Sequence, residues 1–166
     1  ASMGGWMAAE LAAVAREKFD RIAFVAPAGI AHPDHPPADL GAIAPQDFPS
    51  YLAHDASVAL RYFPDPADEK ASQAFGAARQ REGEAVGRIV APMGFGHPNL
   101  LRWLPRITNP ALVVWGERDR IIPVRPAALW MEALPDATLH LVPDAGHLVL
   151  QEAPDTLRVV EDFLSR

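Results

Sequence analysis

Ser2, Asp119 and His147 are three residues whose side-chain types and order along the chain could support covalent catalysis. A serine hydroxyl is a useful nucleophile only when a neighbouring base removes its proton, and histidine can do this near neutral pH. A carboxylate can orient that histidine and stabilise the imidazolium that forms. These residues therefore predict acyl transfer by a Ser-Asp-His triad, provided that the fold brings them together.

Ser2 lies in a run of residues that predicts a tight turn leading into a helix. Met3, Gly4 and Gly5 follow it, which matches the second half of the G-x-S-x-G nucleophile elbow. The N-terminus of such a helix directs unpaired N–H groups at the reacting oxygen, so the Met3 N–H is a predicted oxyanion-hole donor. Taken alone, the same residues are equally consistent with Ser2 as a helix N-cap before a Gly-Gly bend.

Asp119 lies just beyond an apolar run that predicts a buried strand. Ligands of parallel α/β sheets bind outside the carboxyl ends of the strands, so an acid at this position could orient a catalytic histidine. Asp119 could instead form an ion pair with Arg118 or Arg120. Glu117 is the alternative acid, although it lies closer to the end of the strand.

His147 follows Gly146 in the loop after the next predicted strand. The glycine would let the backbone turn tightly and leave the imidazole uncovered, whereas the alternative is a surface or capping histidine. His140 alternates within a strand and is interpreted as structural. The other four histidines fall in a helical insertion and lack metal-site spacing such as H-E-x-x-H: His32, His35, His54 and His97.

Strand and helix patterns alternate along the parts of the chain that carry these residues, which predicts a parallel α/β sheet. Strands are predicted at 21–26, 111–115 and 137–142. Helices are predicted at 5–18, at 126–134 and from Pro154 onward. The first helix is apolar almost all round, which indicates burial. The last is expected to present one apolar stripe, formed by Leu157, Val160 and Leu164.

Residues 31–106 lack strand patterns and are predicted to form a helical insertion over a sheet built from 1–30 and 107–166. Helical segments are expected near 47–62, 66–90 and 98–104, with Pro66 and Pro98 in first turns. The insertion contains residues that could line an apolar pocket or hold the segment on the sheet: Phe48, Tyr51, Phe63, Phe75, Met93, Phe95 and Trp103. Its arginines are Arg61, Arg79, Arg81, Arg88 and Arg102.

The amino-acid composition limits the classes of molecule that the chain is expected to bind. The 166 residues carry a net charge of −6 with no basic cluster, which argues against nucleic acid. The chain has no cysteine, so a disulfide or a thiolate metal site is excluded and a reducing cytoplasm is compatible. No apolar run reaches the length of a membrane span. A small-molecule substrate is expected, and the oligomeric state stays open.

Together these features resemble the capped members of the α/β-hydrolase family. The matching stretches are Ser2-Met3-Gly4-Gly5, Ile22 to Ala26, Pro110 to Pro123 and Pro143 to Glu152. The resemblance implies Ser2 as nucleophile, Asp119 as acid and His147 as base, with 31–106 as a cap that shapes the substrate pocket. It implies no metal and no organic cofactor. It also implies that the early strands and the second oxyanion donor would precede Ala1, so we expect a C-terminal part that is inactive alone.

The resemblance leaves three functions open. A serine at the nucleophile position argues against the epoxide- and haloalkane-cleaving branches, in which an aspartate is implied there. Hydrolysis of a carboxylic ester is the first expectation. Hydrolysis of a carbon–carbon bond in dienoic diketo acids is the second, because family members with that activity share a similar Ser-Met-Gly-Gly elbow. A non-catalytic binding protein, or an inactive fragment, is the third.

Overall fold

Three parallel strands form the centre of the computed structural model, which describes residues 1–93 and 96–166, without the side chain of Ala91. The strands are β1 (Ile22–Val25), β2 (Ala111–Gly116) and β3 (Ala137–Val142). They lie in the order β1-β2-β3. Ile22 of β1 is opposite Ala111 of β2, which is opposite Ala137 of β3. The predicted parallel α/β sheet is confirmed, with strand bounds within one residue of those expected.

β2 is the middle strand, and all six of its residues are buried. Its side chains alternate between two apolar clusters because neighbouring residues of a strand point to opposite faces. Val113 and Trp115 join one cluster, and Leu112 and Val114 join the other. An uninterrupted apolar run is typical of a parallel strand that is covered on both faces.

Eight α-helices accompany the three strands in the described chain. They are α1 (Ser2–Val14), α2 (Phe48–Leu52), α3 (Ala56–Leu60), α4 (Glu69–Val90), α5 (Leu100–Trp103), α6 (Ala127–Ala133), α7 (Val149–Glu152) and α8 (Pro154–Leu164). Short 3₁₀ turns span Arg16–Lys18, Ala91–Met93 and Leu104–Arg106. Helices α1, α5 and α6 contribute to the first apolar cluster, and α7 and α8 to the second. None of the helices within residues 1–93 and 96–166 combines the length and the apolarity that crossing a bilayer requires.

The first helix differs from the prediction at both ends and on one face. It begins at Ser2 rather than residue 5 and ends at Val14, and the predicted last turn is a separate 3₁₀ turn. It buries Gly5, Trp6, Ala9 and Ala12. Met7, Leu11 and Val14 are 64%, 53% and 74% exposed. The prediction of burial all round is therefore wrong, because the sheet and α5 cover α1 on one side only.

The apolar stripe predicted for the last helix is also misplaced. Val160 is buried, but Leu157 and Leu164 are 45% and 48% exposed. The helix instead turns Thr156 and Val160 inward, with Phe163 packed against the second cluster. Phe163 also lies under the guanidinium of Arg21, 5.3 Å from Cζ to the ring centroid. The contacts with β1 thus rotate the buried face away from the stripe that spacing alone indicated.

Pro66 and Pro98 do not lie in the first turns of the helices that follow them. α4 begins at Glu69, three residues after Pro66, and the Asp68 carboxylate accepts the Ala71 N–H at 2.9 Å. Pro98 likewise precedes α5, and the His97 Nδ1 atom accepts the Asn99 N–H at 3.1 Å. Neither proline therefore lies in a first turn.

The helix predicted near 47–62 is two helices, α2 and α3. Asp55 is the N-cap of α3, and its carboxylate accepts the Ser57 N–H at 2.9 Å. α7, between β3 and α8, was not predicted from the sequence. Phe95, one of the candidate pocket residues, lies outside the described residues.

Candidate active site

The candidate site lies at the edge of the sheet where the three parallel strands end. The Ser2 carbonyl accepts the N–H of Ala28, just beyond β1, at 3.0 Å. Asp119 follows β2, and His147 follows β3. Parallel strands have their carboxyl ends at one edge, so the topology brings all three predicted residues to the edge where ligands of such sheets bind.

Backbone strain is concentrated at this same edge. Ser2, Ala26 and Asp144 have φ values of 50°, 41° and 54° and are the non-glycine residues with positive φ in the described chain. Each lies at the start of α1 or in a loop that follows β1 or β3. Such conformations persist only where the surroundings enforce them, and they cluster at functional sites.

Ser2 opens α1 at a point where the helix approaches the chain beyond β1 closely. A Cβ atom built on Gly5 would lie 2.9 Å from Cβ of Pro27, so a larger residue does not fit. The N-cap of α1 is Ala1, without a side-chain hydrogen bond, so the interpretation of Ser2 as the N-cap is wrong. The first bond of the helix runs from Gly5 N–H to the Ala1 carbonyl, which leaves the Met3 N–H among the unpaired groups of the first turn.

Ser2 and Met3 border a pocket of about 70 Å³. Its other lining residues are apolar: Trp6, Ala28, Pro37, Ala38, Leu40, Val86, Val90, Ile121 and Ile122. Val86 and Val90 belong to α4, so the 31–106 segment forms part of this wall. The hydroxyl-bearing residue therefore faces a largely apolar space.

Asp119 and His147 are joined by a hydrogen bond of 2.8 Å between Oδ2 and Nδ1. The Asp119 side chain is fully buried, and the His147 side chain is 10% exposed. The second carboxylate oxygen, Oδ1, accepts the backbone N–H groups of Ile121 and Ile122 at 2.8 and 2.9 Å. Because Ile121 and Ile122 also border the pocket beside Ser2, the segment that fixes the acid also forms a wall of that pocket.

The alternative partners of Asp119 lie elsewhere. Arg118 pairs with Asp144 at 3.4 Å. The Arg120 guanidinium lies over the Tyr51 ring, 4.1 Å from its centroid. Glu117 is exposed, so of the candidate acids it is Asp119 that contacts the histidine.

The hydrogen bond to Asp119 determines which tautomer the neutral His147 imidazole adopts. A neutral imidazole that donates Nδ1–H to a carboxylate keeps Nε2 as an acceptor. Among the hydrogen bonds of the described residues, the His147 ring is joined to Asp119 through Nδ1, and none joins it to the Ser2 hydroxyl. The structure therefore brings two of the three predicted residues, Asp119 and His147, into direct contact.

The loop that carries His147 has a partner that the sequence did not reveal. The Glu152 carboxylate accepts the Gly146 N–H at 2.6 Å and the Asp55 N–H at 2.8 Å. Glu152 lies in a stretch already matched to the family motif, but no spacing rule links it to Asp55, 97 residues away.

Three other histidines make aromatic contacts away from the triad residues. The His97 ring lies 4.4 Å from the Trp103 ring, and the His32 ring lies 4.9 Å from that of His35, measured between centroids of tilted rings. Within 1–93 and 96–166, no three His, Cys, Asp or Glu side chains are grouped so that they could hold a metal ion.

Comparison with known proteins relates the chain to one family. A model described as the alpha/beta hydrolase family matches residues 1–158. A 2-hydroxy-6-oxononadienedioate/2-hydroxy-6-oxononatrienedioate hydrolase from Pseudomonas sp is 33% identical over 72 residues, 43% of this chain and 25% of the relative. A serine hydrolase from Mus musculus, BPHL, is 39% identical over 62 residues, 37% of this chain and 21% of the relative.

Solved structures match over nearly the whole chain. A membrane phospholipase A superposes with a TM-score of 0.69 and 26% identity, covering 99% of this chain and 55% of that one. A 2-hydroxy-6-oxo-6-phenylhexa-2,4-dienoate hydrolase from Rhodococcus sp. strain RHA1 superposes with a TM-score of 0.70 and 22% identity, covering 96% and 59%. The chain thus spans somewhat more than half the length of these structures.

Proposed function

Because this chain belongs to the alpha/beta hydrolase family, we propose that it carries the catalytic triad of a serine hydrolase, with Ser2 as nucleophile, His147 as base and Asp119 as the orienting acid. The observation that carries the proposal is the 2.8 Å hydrogen bond between His147 Nδ1 and a fully buried Asp119 carboxylate. An acid fixed by two further backbone N–H groups holds the imidazole in one tautomer and one orientation, as the triad requires.

The reaction proceeds by two acyl transfers. The Ser2 hydroxyl oxygen attacks the substrate carbonyl carbon while its proton passes to Nε2 of His147. The Met3 N–H, at the positive end of α1, donates to the oxyanion. His147 returns the proton to the leaving group, and it then activates a water molecule that hydrolyses the acyl-enzyme.

The helical segment 31–106 acts as a cap over a core formed by 1–30 and 107–166. Five of its residues support this role, because Pro37, Ala38, Leu40, Val86 and Val90 line the pocket beside Ser2. A cap that excludes water strengthens the electrostatic interactions around the oxyanion.

The first candidate reaction is hydrolysis of a carboxylic ester, which the triad needs no further group to perform. The second is hydrolysis of a carbon–carbon bond in a dienoic diketo acid, favoured by relatives whose names carry that activity.

A groove in the 31–106 segment is lined by Arg61 and Arg79 but also by the acidic residues Asp39, Asp65 and Glu82, so its charge favours neither candidate. The ratio of kcat/KM for an ester and a diketo acid decides between the two candidates.

The proposal is tested by replacing the nucleophile. In the intact protein, Ser2→Ala removes the atom that forms the acyl-enzyme, so we expect the burst of alcohol released from an activated ester to disappear. Labelling by a fluorophosphonate probe should disappear with it. Ser165→Ala, at an exposed serine in the last residues of the chain, is the matched control and should leave both unchanged.

Two results would contradict the proposal. A burst that persists in Ser2→Ala would show that another residue is acylated. Absence of both burst and labelling in the unmodified protein would favour a non-catalytic binding protein.

A further inference from the structure

The loop that carries His147 is in backbone contact with the segment between α2 and α3. The N–H of Leu148 donates to the carbonyl of Leu52 at 2.9 Å. A Cβ atom built on Gly146 would lie 2.7 Å from the backbone nitrogen of His54 and 3.0 Å from backbone atoms of Ala53. Such close approach leaves no room for a side chain at position 146, so the two segments are held against each other.

Glu152 bridges these two segments with its two carboxylate oxygens. Oε2 accepts the N–H of Gly146 at 2.6 Å, and Oε1 accepts the N–H of Asp55 at 2.8 Å. Hydrogen bonds to an ionised acceptor are shorter and stronger than those between neutral groups. One side chain therefore anchors both the residue before His147 and the N-cap residue of α3.

Apolar packing also stabilises the junction between the His147 loop and the segment that connects α2 and α3. Leu148, directly after His147, packs with Leu52 against a small cluster formed by Ala53, Val58 and Ala59. Backbone hydrogen bonds, the carboxylate bridge and this cluster all act on the residues on either side of His147. The position of the imidazole is thus determined from two directions, by Asp119 through the ring and by this junction through the backbone.

We propose that Glu152 is a positioning residue whose carboxylate joins the His147 loop to the start of α3, and so sets the orientation of the His147 ring. The inference rests on the proposed function, because it assigns His147 the role of base. It adds that the α2–α3 part of the 31–106 segment supports the catalytic base directly, whereas other residues of that segment line the pocket beside Ser2.

Glu152→Gln tests the bridge with little change in size. A carboxamide has one acceptor oxygen and one donor nitrogen, so it can accept only one of the two N–H groups and opposes the other. We expect kcat to fall by about 10- to 100-fold with KM changed less than about twofold, since a displacement near 1 Å at a reacting group has effects of this size. Glu161→Gln, at an exposed glutamate of α8, is the control and should leave kcat unchanged.

A double-mutant cycle with Asp119→Asn distinguishes positioning from general destabilisation. If Glu152 acts through the orientation of His147, its replacement should cost much less when Asp119 no longer orients the ring. Losses that simply multiply in the double variant, or a kcat for Glu152→Gln equal to that of the unmodified protein, would overturn the inference.

Amide hydrogen exchange tests the Glu152 bridge independently of whether the proposed function is correct. The Gly146 and Asp55 amides should exchange slowly in the unmodified protein and faster together in Glu152→Gln, whether or not the protein turns over an ester. If Ser2→Ala left activity intact, the proposed function would fail. Unchanged exchange at both amides would overturn the bridge on its own.

Discussion

Asp119 shows how the chemistry of one residue is determined by all the hydrogen bonds it accepts. Oδ1 is held by the N–H groups of Ile121 and Ile122, so Oδ2 is the oxygen that faces His147. In Asp119→Asn, the amide oxygen must stay with the two N–H groups, and the amide nitrogen must then face Nδ1. The imidazole would be forced to accept at Nδ1 and carry its proton on Nε2, which is the wrong tautomer for a base.

We therefore expect Asp119→Asn to lower kcat by about 10⁴-fold with a small change in KM, measured by steady-state hydrolysis of an activated ester in the intact protein. Glu117→Gln changes an exposed acid two residues away and serves as the control. A variant Asp119→Asn that retained more than a tenth of the activity would show that the imidazole is oriented by another group.

The sequence singled out the acid that contacts His147 for a positional reason, and it could not exclude the alternative acid or the alternative partners of Asp119. Asp119 was preferred over Glu117 because it lies further beyond the strand end. Pairing with Arg118 or Arg120 could be dismissed only in the structure, where their partners, Asp144 and Ser50 with Tyr51, come from distant segments. The partners of an exposed arginine depend on which groups the fold brings near it, and spacing along the chain does not predict this.

Among the secondary-structure elements, the strands were predicted well and the helix faces poorly. The runs 111–115 and 137–142 are apolar or alternate over their whole length, and their positions were confirmed within a residue. The buried face of α8 was predicted as Leu157, Val160 and Leu164 but includes Thr156 instead of the two leucines. A helix with apolar residues on more than one side can be turned by its neighbours, so its pattern alone does not fix which side is buried.

One asparagine connects two elements that the sequence separates widely. Asn109, just before β2, donates through Nδ2 to the carbonyl of Arg16 at 3.1 Å and to that of Phe19 at 2.5 Å. These carbonyls belong to the chain between α1 and β1, where regular helix hydrogen bonding has ended. Asn109 therefore fixes how α1 passes into the edge strand.

We expect Asn109→Ala to lower the free energy of unfolding by about 1 kcal/mol, because the Phe19 carbonyl loses the donor Nδ2, whereas the Arg16 carbonyl keeps the N–H of Phe19. Urea denaturation followed by circular dichroism measures the change. Asn99→Ala is the matched control, since the Asn99 side chain makes no capping hydrogen bond at the start of α5. Equal losses in both variants would mean that the bonds of Asn109 contribute nothing specific.

At the scale of the whole molecule, the parallel order of the strands is what gathers the candidate site. Because β1, β2 and β3 are parallel, the segments beyond their carboxyl ends share one edge. This could be predicted from the alternation of strands and helices. The junction between the His147 loop and the α2–α3 segment could not, because it depends on Glu152 and Asp55 meeting across 97 residues.

The same architecture leaves one surface of the molecule apolar. Met7, Leu11 and Val14 follow one another at helical spacing on the exposed side of α1, and each is more than half exposed. In addition, β1 is an edge strand of the described sheet, with pairing to β2 alone. Contiguous apolar patches and unpaired strand edges promote association between molecules.

We expect the 166-residue chain to self-associate at micromolar concentration, and the paired change Met7→Glu with Leu11→Lys to reduce this strongly. The two new side chains are four residues apart in the orientation that favours an ion pair on a helix, so α1 should keep its stability. Sedimentation velocity measures the distribution of species. The control pair, Leu157→Glu with Leu164→Lys, places the same charges on exposed leucines of α8. If the apolar patch on α1 drives association, only the α1 pair should reduce it. Equal reductions by both pairs would show that exposed apolar residues anywhere on the surface are responsible.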